Sequence, residues 1–204
     1  MKRKIDISLK KHAKQSRAIA TVAAIVEAAT YILRNDGPFG FTANKVAEKA
    51  GVNIASFYQY FPNKEALLFH IAQVTWEAQM ARLSPILTAG SDHASKLRRL
   101  IHEFFMVEAA EADLRKALRI ASVDLRETEE FRALVSKGAE LTDTFFTDML
   151  GGQRTDDFDF NVNFIGLLIT SFAERTTDRP VSATTLQRQA DVLSDMLIAH
   201  FKIS

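Results

Sequence analysis

The chain has 204 residues, 47% of them hydrophobic, enough to bury one small and one larger core. It has no cysteine, which excludes disulfides and thiolate metal sites. It has no unbroken run of about 18 apolar residues and no apolar stretch behind its charged N-terminus, so the sequence predicts neither a membrane span nor a secretory signal and points to a cytoplasmic protein.

In chain order, residues 1–16 come first. Lys2, Arg3, Lys4, Lys10, Lys11 and Lys14 face a single acid, Asp6. Such a basic arm is either a solvated tail or a segment that follows a nucleic-acid backbone or enters a minor groove. The first helix is predicted from about Arg17 to Asn35, with Val22, Ile25, Ala29 and Ile32 on one face. Gly37-Pro38-Phe39-Gly40 ends it. Thr42, Asn53 and Asn63 are N-caps for the next three helices. The fourth is long, reaching about Leu83, with Leu67, Ile71, Val74 and Ala78 in register and Ser84-Pro85 as its break. Further helices are expected at about 94–110, 113–123, 128–150, 157–174 and 182–202. No segment alternates as a strand and no repeat is present, so the fold class is all-α with about nine helices.

The second and third helices carry the strongest signal: TANKVAEKAGVNIASFYQYF, residues 42–61. Ala47 supplies the small residue that two steeply crossing helices need, and Gly51 supplies a positive φ for the turn. Val46, Ala50, Val52 and Phe57 fall inward, leaving Ile54, Ala55, Ser56 and Tyr58 on or near the outer face of a short helix. This is the pattern of a helix-turn-helix whose second helix enters the major groove. Tyr58 and Tyr60 put hydroxyls at that helix's end, where phosphates would lie. Lys64 opposes the dipole of the following helix, so a nearby phosphate is its reason. Charge agrees: residues 1–70 hold 11 Lys and Arg against 5 Asp and Glu, whereas residues 71–204 hold 15 against 20.

Ala28-Ala29, Gly37, Phe41-Thr42, Val46-Ala47, Ala50-Gly51-Val52, Phe57-Tyr58, Tyr60-Phe61 and Lys64 to Leu68 together resemble the DNA-binding domain of the tetracycline-repressor (TetR) family. The resemblance covers about a quarter of the chain, from Arg17 to Leu68. It departs at Val46, Asn53 and Ala55, where isoleucine, serine and glycine are commoner. It implies DNA contacts from Arg17, Thr42, Ala43, Lys45, Asn53, Ile54, Ala55, Ser56, Tyr58, Tyr60 and Lys64. Ile54 and Ala55 donate no hydrogen bond, so direct base reading rests on Asn53, Ser56 and apolar contact with thymine methyls. The implied organisation is a basic arm (1–16), a DNA-binding domain (17–62) and an effector-binding and dimerisation domain (63–204).

The last two helices each carry more than one apolar stripe, which calls for a further partner. The expected homodimer interface is Val162, Ile165, Ile169, Phe172, Leu186, Leu193 and Leu197, with second stripes at Phe164, Leu167 and Leu168 and at Val192, Met196 and Ala199. A two-fold dimer would read a palindromic operator in double-stranded DNA. Trp76, Met80, Phe104, Phe105, Leu118, Phe131 and Phe145 are candidates to line a pocket for a small hydrophobic or aromatic effector. Each also reads as ordinary core. The resemblance implies a repressor released by that effector; the same DNA-binding domain also suits an activator or a regulator without a ligand.

An enzyme is the rival of another class. The five histidines show no metal-binding or catalytic spacing, no glycine loop cradles a phosphate, and no cofactor is implied. A second rival is a helical adaptor dimer without specific DNA binding, against which Thr42, Tyr58, Tyr60 and Lys64 argue.

Overall fold

The structure, a computed structural model, describes residues 5–8, 10, 16–151 and 157–204. The arm residues Lys2, Arg3, Lys4, Lys11 and Lys14 lie outside the described residues. Among the described residues there are nine α-helices and no strand. They are α1 (Ser16–Asn35), α2 (Ala43–Lys49), α3 (Ile54–Tyr60), α4 (Lys64–Leu87), α5 (His93–Ala110), α6 (Ala112–Ala121), α7 (Glu129–Met149), α8 (Phe158–Thr177) and α9 (Ala183–Phe201). Short 3-10 turns occupy Pro38–Gly40 and Val123–Leu125. The expected caps are formed: the side chains of Thr42, Asn53 and Asn63 each accept the backbone N–H three residues on, and Ser182 does the same for the last helix.

α4 runs past its expected end, through Pro85 to Leu87. Proline in the last turn removes one hydrogen bond near a frayed end, a smaller cost than in a helix interior. Its expected apolar face also drifts. Leu67 and Ile71 are buried, whereas Val74 and Ala78 are exposed.

The chain divides into two compact units, and the division does not fall at residue 62. The first unit takes residues 1–76 and 113–135. Its core joins Ile25, Ala29, Ile32 and Leu33 of α1 to Val46, Ala47, Phe57, Phe61, Leu67 and Ile71. Leu114, Ala117 and Leu118 of α6 pack into the same core, as does Leu125. α1 is long and apolar enough to cross a membrane by length and composition alone, a property the sequence reading did not register. Its apolar stripe is instead covered by this core.

The second unit takes residues 77–112 and 136–204. Here α5 packs on α8 and α9, with Leu97, Ile101 and Phe105 meeting Ile165, Ile169, Leu186, Leu193 and Leu197. Two polar contacts join α5 to α9: an ion pair of Arg98 with Asp195 at 2.7 Å and a hydrogen bond between His102 Nε2 and Asp191 Oδ1 at 2.8 Å. Both are partly exposed and contribute little beyond orientation. Asp92 caps α5, and the Ser95 backbone N–H and hydroxyl hold its carboxyl below the usual carboxylate range. The cap is therefore fully charged at neutral pH. What it adds to stability is present above the ordinary carboxylate pKa and is lost as pH falls through the lowered one.

This packing corrects one expectation. Ile165, Ile169, Leu186, Leu193 and Leu197, read as dimer-forming, are buried within their own protomer. Val162 is only half-buried against the same core, and Phe172, its ring 6.0 Å from that of Phe105, stays 39% exposed, so these two are not overturned. The physical reason is that α5 needs a partner, and the deeper stripe of each terminal helix supplies it. Of the second stripes, Phe164 and Leu167 on α8 and Val192, Met196 and Ala199 on α9 are exposed, with Phe160 exposed beside them, whereas Leu168 packs partly on the unit's own core. The expected effector residues are shared between the two units. Leu118 and Phe131 serve the first unit's core, Phe105 and Phe145 the second's, and Phe104 packs at the second's edge. Trp76 and Met80 are half-buried in the first and second units respectively.

Candidate nucleic-acid interface

Local backbone chemistry builds the α2–α3 corner. Gly51 sits at φ 66°, a left-handed conformation that a Cβ would strain. Around it, the N–H of Ala50 donates to Val46 O, Gly51 to Glu48 O, and Val52 to Ala47 O at 3.0 Å, so the turn leaves few orphan groups. Val46, Ala47 and Phe57 are buried beneath the corner. Phe57 lies edge-on to Tyr58 at 5.2 Å and tilted to Phe61 at 5.8 Å. Behind α2, the Lys49 ammonium sits 3.6 Å from the centre of the Tyr31 ring, a cation–π contact that ties α2 to α1.

On the outer side, Thr42, Lys45, Asn53, Ile54, Ala55 and Tyr58 are exposed, and so are Arg17 and Lys64. Ala43 and Ser56 are half-buried. The Asn53 carbonyl oxygen is spent on the Ser56 N–H at 2.7 Å, so only its amide group remains to donate outward. The Thr42 oxygen accepts from Lys45 N at 3.3 Å, leaving its O–H free to donate. The surface therefore offers donors and cations around two apolar side chains, a combination suited to phosphate oxygens and thymine methyls.

Tyr60 is 7% exposed and belongs to the first unit's core, while Tyr58 is 44% exposed. Tyr60 is three residues after Phe57, on the same inward face of α3. One exposed residue escaped the sequence reading. Gln59 lies four residues after Ala55 on the outer face, and helical period alone would have found it. Lys10 donates from its backbone N–H to Tyr60 O at 3.1 Å and from its ammonium to Tyr58 O at 3.4 Å, a contact across 48 residues that no local pattern signals.

Elsewhere, a groove of about 550 Å³ opens between α7 and α8, lined by Thr142, Phe146, Val162, Asn163, Leu167 and Thr170 among others. None of the seven residues expected at an effector site lines it. Among the described residues no group of three His, Asp or Glu could hold a metal ion.

The model of the family described as "Bacterial regulatory proteins, tetR family" matches residues 25–71. An uncharacterized HTH-type transcriptional regulator in the dhlA 5′ region of Xanthobacter autotrophicus is 29% identical over 86 residues. That match covers 41% of this chain and 43% of the relative. Solved structures share the fold over most of their length. The fatty acid degradation regulator FadR of Bacillus halodurans superposes with TM-score 0.64 at 18% identity, covering 95% of this chain and 100% of that one. A TetR family transcription regulator of Marinobacter aquaeolei VT8 gives 0.65 at 20% identity, covering 88% and 96%. PfmR of Thermus thermophilus, a TetR family transcriptional regulator, gives 0.65 at 17% identity, covering 86% and 97%.

Proposed function

We propose, for a chain that belongs through its DNA-binding domain to the tetR family of bacterial regulatory proteins, that it is a homodimeric repressor acting in the cytoplasm on a palindromic operator. The family is one of regulators and not of enzymes. The observation that carries the reading is the α2–α3 corner, whose caps and glycine turn leave donors and cations facing outward over a buried floor. Arg17, Thr42, Lys45, Tyr58 and Lys64 are its phosphate contacts, and Asn53, Ile54, Ala55 and Ser56 read the bases.

The dimer is supported by the exposed stripes of α8 and α9. Phe160, Leu167 and Met196 are 67%, 62% and 63% exposed, and grouped apolar side chains of this size mark an association surface. Two copies joined there would place two reading helices on successive turns of DNA. The effector enters through the resemblance together with the α7–α8 groove, whose mixed lining suits a small molecule with an apolar body and hydrogen-bonding groups. α4 is one helix from Lys64 to Leu87, so a ligand that favours one disposition of the second unit can act on the first through it.

Selection of sites from random duplexes tests the reading directly. Enrichment of a palindrome with half-sites about one helical turn apart is expected; only salt-sensitive general affinity would reject sequence-specific binding. Side-chain roles separate by readout. Tyr58→Phe and Lys64→Ala should weaken binding to every sequence, Lys64→Ala lowering the salt slope by about one, while Ser56→Ala should change which sequence is preferred.

A further inference from the structure

We infer that the segment of Asp6, Ile7, Ser8 and Lys10 is a strap across the α3–α4 corner that delivers Lys10 to the DNA backbone beside Tyr58; this rests on the DNA-binding reading above. Three contacts define the strap. Ile7 is buried in the first unit's core. The Asn63 amide donates to Asp6 O at 2.7 Å while its carbonyl oxygen accepts from Ala66 N at the head of α4. Lys10 closes the other side of the corner, its N–H on Tyr60 O and its ammonium on Tyr58 O. Between them, the Ser8 N–H and hydroxyl both bond the Asp6 carboxylate, at 3.1 and 2.6 Å, shaping the bend that lets Ile7 turn inward.

The reading helix needs such help. α3 has seven residues, too few to be stable alone, and the last carbonyls of any helix are orphaned. Phe61 N–H satisfies Phe57 O, and Lys10 satisfies Tyr58 O and Tyr60 O. A cation at a helix C-terminus also opposes the dipole favourably. An ammonium has three protons, and one is directed at Tyr58 O. The others remain for a phosphate, and Lys10 and Tyr58 are both exposed. The strap therefore performs two tasks with one residue: it completes the end of α3, and it adds a fixed cation to the phosphate-contacting set.

The test uses the full chain and a mixed-sequence duplex, with affinity measured by fluorescence anisotropy across a salt series. Lys10→Gln is expected to weaken binding about three- to tenfold near 0.1 M salt and to lower the salt slope by about one. Ile7→Ser removes no charge, yet it should produce a similar loss and a similar drop in slope by releasing the strap. The double variant should be no weaker than either single one, because both act through one contact. A folded Ile7→Ser protein with unchanged affinity and slope overturns the strap, and an unchanged Lys10→Gln protein overturns the phosphate contact. If circular dichroism shows that Ile7→Ser melts the first unit, Lys10→Gln decides alone, since its side chain is exposed. Loss of all salt-sensitive binding in the unsubstituted protein would overturn the DNA-binding reading itself, and with it this role for Lys10.

Discussion

Leu167→Glu combined with Met196→Glu is expected to yield a folded monomer that has lost on the order of 100-fold or more in operator affinity. Both side chains are more than half exposed in the protomer, so the carboxylates cost the isolated fold little. In a dimer closed over α8 and α9 the same carboxylates would be buried without partners, at about 3–5 kcal/mol for each uncompensated charge. Two-fold symmetry doubles the number, a cost comparable to the whole return of the remaining apolar stripe at about 1.5–3 kcal/mol per large buried side chain, which leaves no net gain to hold the dimer. DNA affinity then falls because the second half-site contact ceases to be intramolecular, a gain of about 10²–10⁴ when present. Sedimentation velocity reads the mass and anisotropy reads the affinity. Gln187→Glu on α9, exposed and off the stripe, should change neither. A double variant that stays dimeric would place the association surface elsewhere.

The same two helices show how far the residues could be read in advance. Each terminal helix visibly carries two apolar stripes, and periodicity says that both need covering. It does not say which stripe meets the chain's own α5. Ile165 and Leu193 turned inward because α5 presents Leu97, Ile101 and Phe105 to them, a pairing between segments far apart in sequence. The caps were legible for the opposite reason. Thr42, Asn53 and Asn63 each bond three residues ahead, so the whole interaction lies in one short word of sequence. Gly51 was legible on the same ground. At the interface, the near-complete burial of Tyr60 was legible from its helical period with Phe57. The side chains expected around an effector were less legible: composition marks Phe105, Leu118, Phe131 and Phe145 as core-forming, but only the fold distributes them between two cores.

That distribution leads to the second large effect. Phe57→Ala is expected to destabilise the first unit by about 3–5 kcal/mol, the usual cost of truncating a fully buried phenylalanine. Phe57 is the keystone of a corner made from two seven-residue helices, and its ring also supports Tyr58 and Phe61 edge-on and tilted. α3 has seven residues and only Phe57 and Tyr60 as buried anchors, so a cavity here should collapse the reading surface before it unfolds the rest. Phe57→Leu keeps most of the volume and should cost under about 1.5 kcal/mol. Hydrogen exchange separates the units. Amides of α2 and α3 should lose protection in Phe57→Ala, while those of α5, α8 and α9, whose core contains none of the first unit's residues, keep theirs. Operator binding should vanish in the same variant at temperatures where the second unit is still protected. Equal loss of protection in α5, α8 and α9 would instead mean that the long helices α4 and α7, each divided between the two units, make them unfold as one. In that case a ligand in the second unit would have a direct thermodynamic hold on the DNA-reading corner, because stabilising either unit would stabilise both.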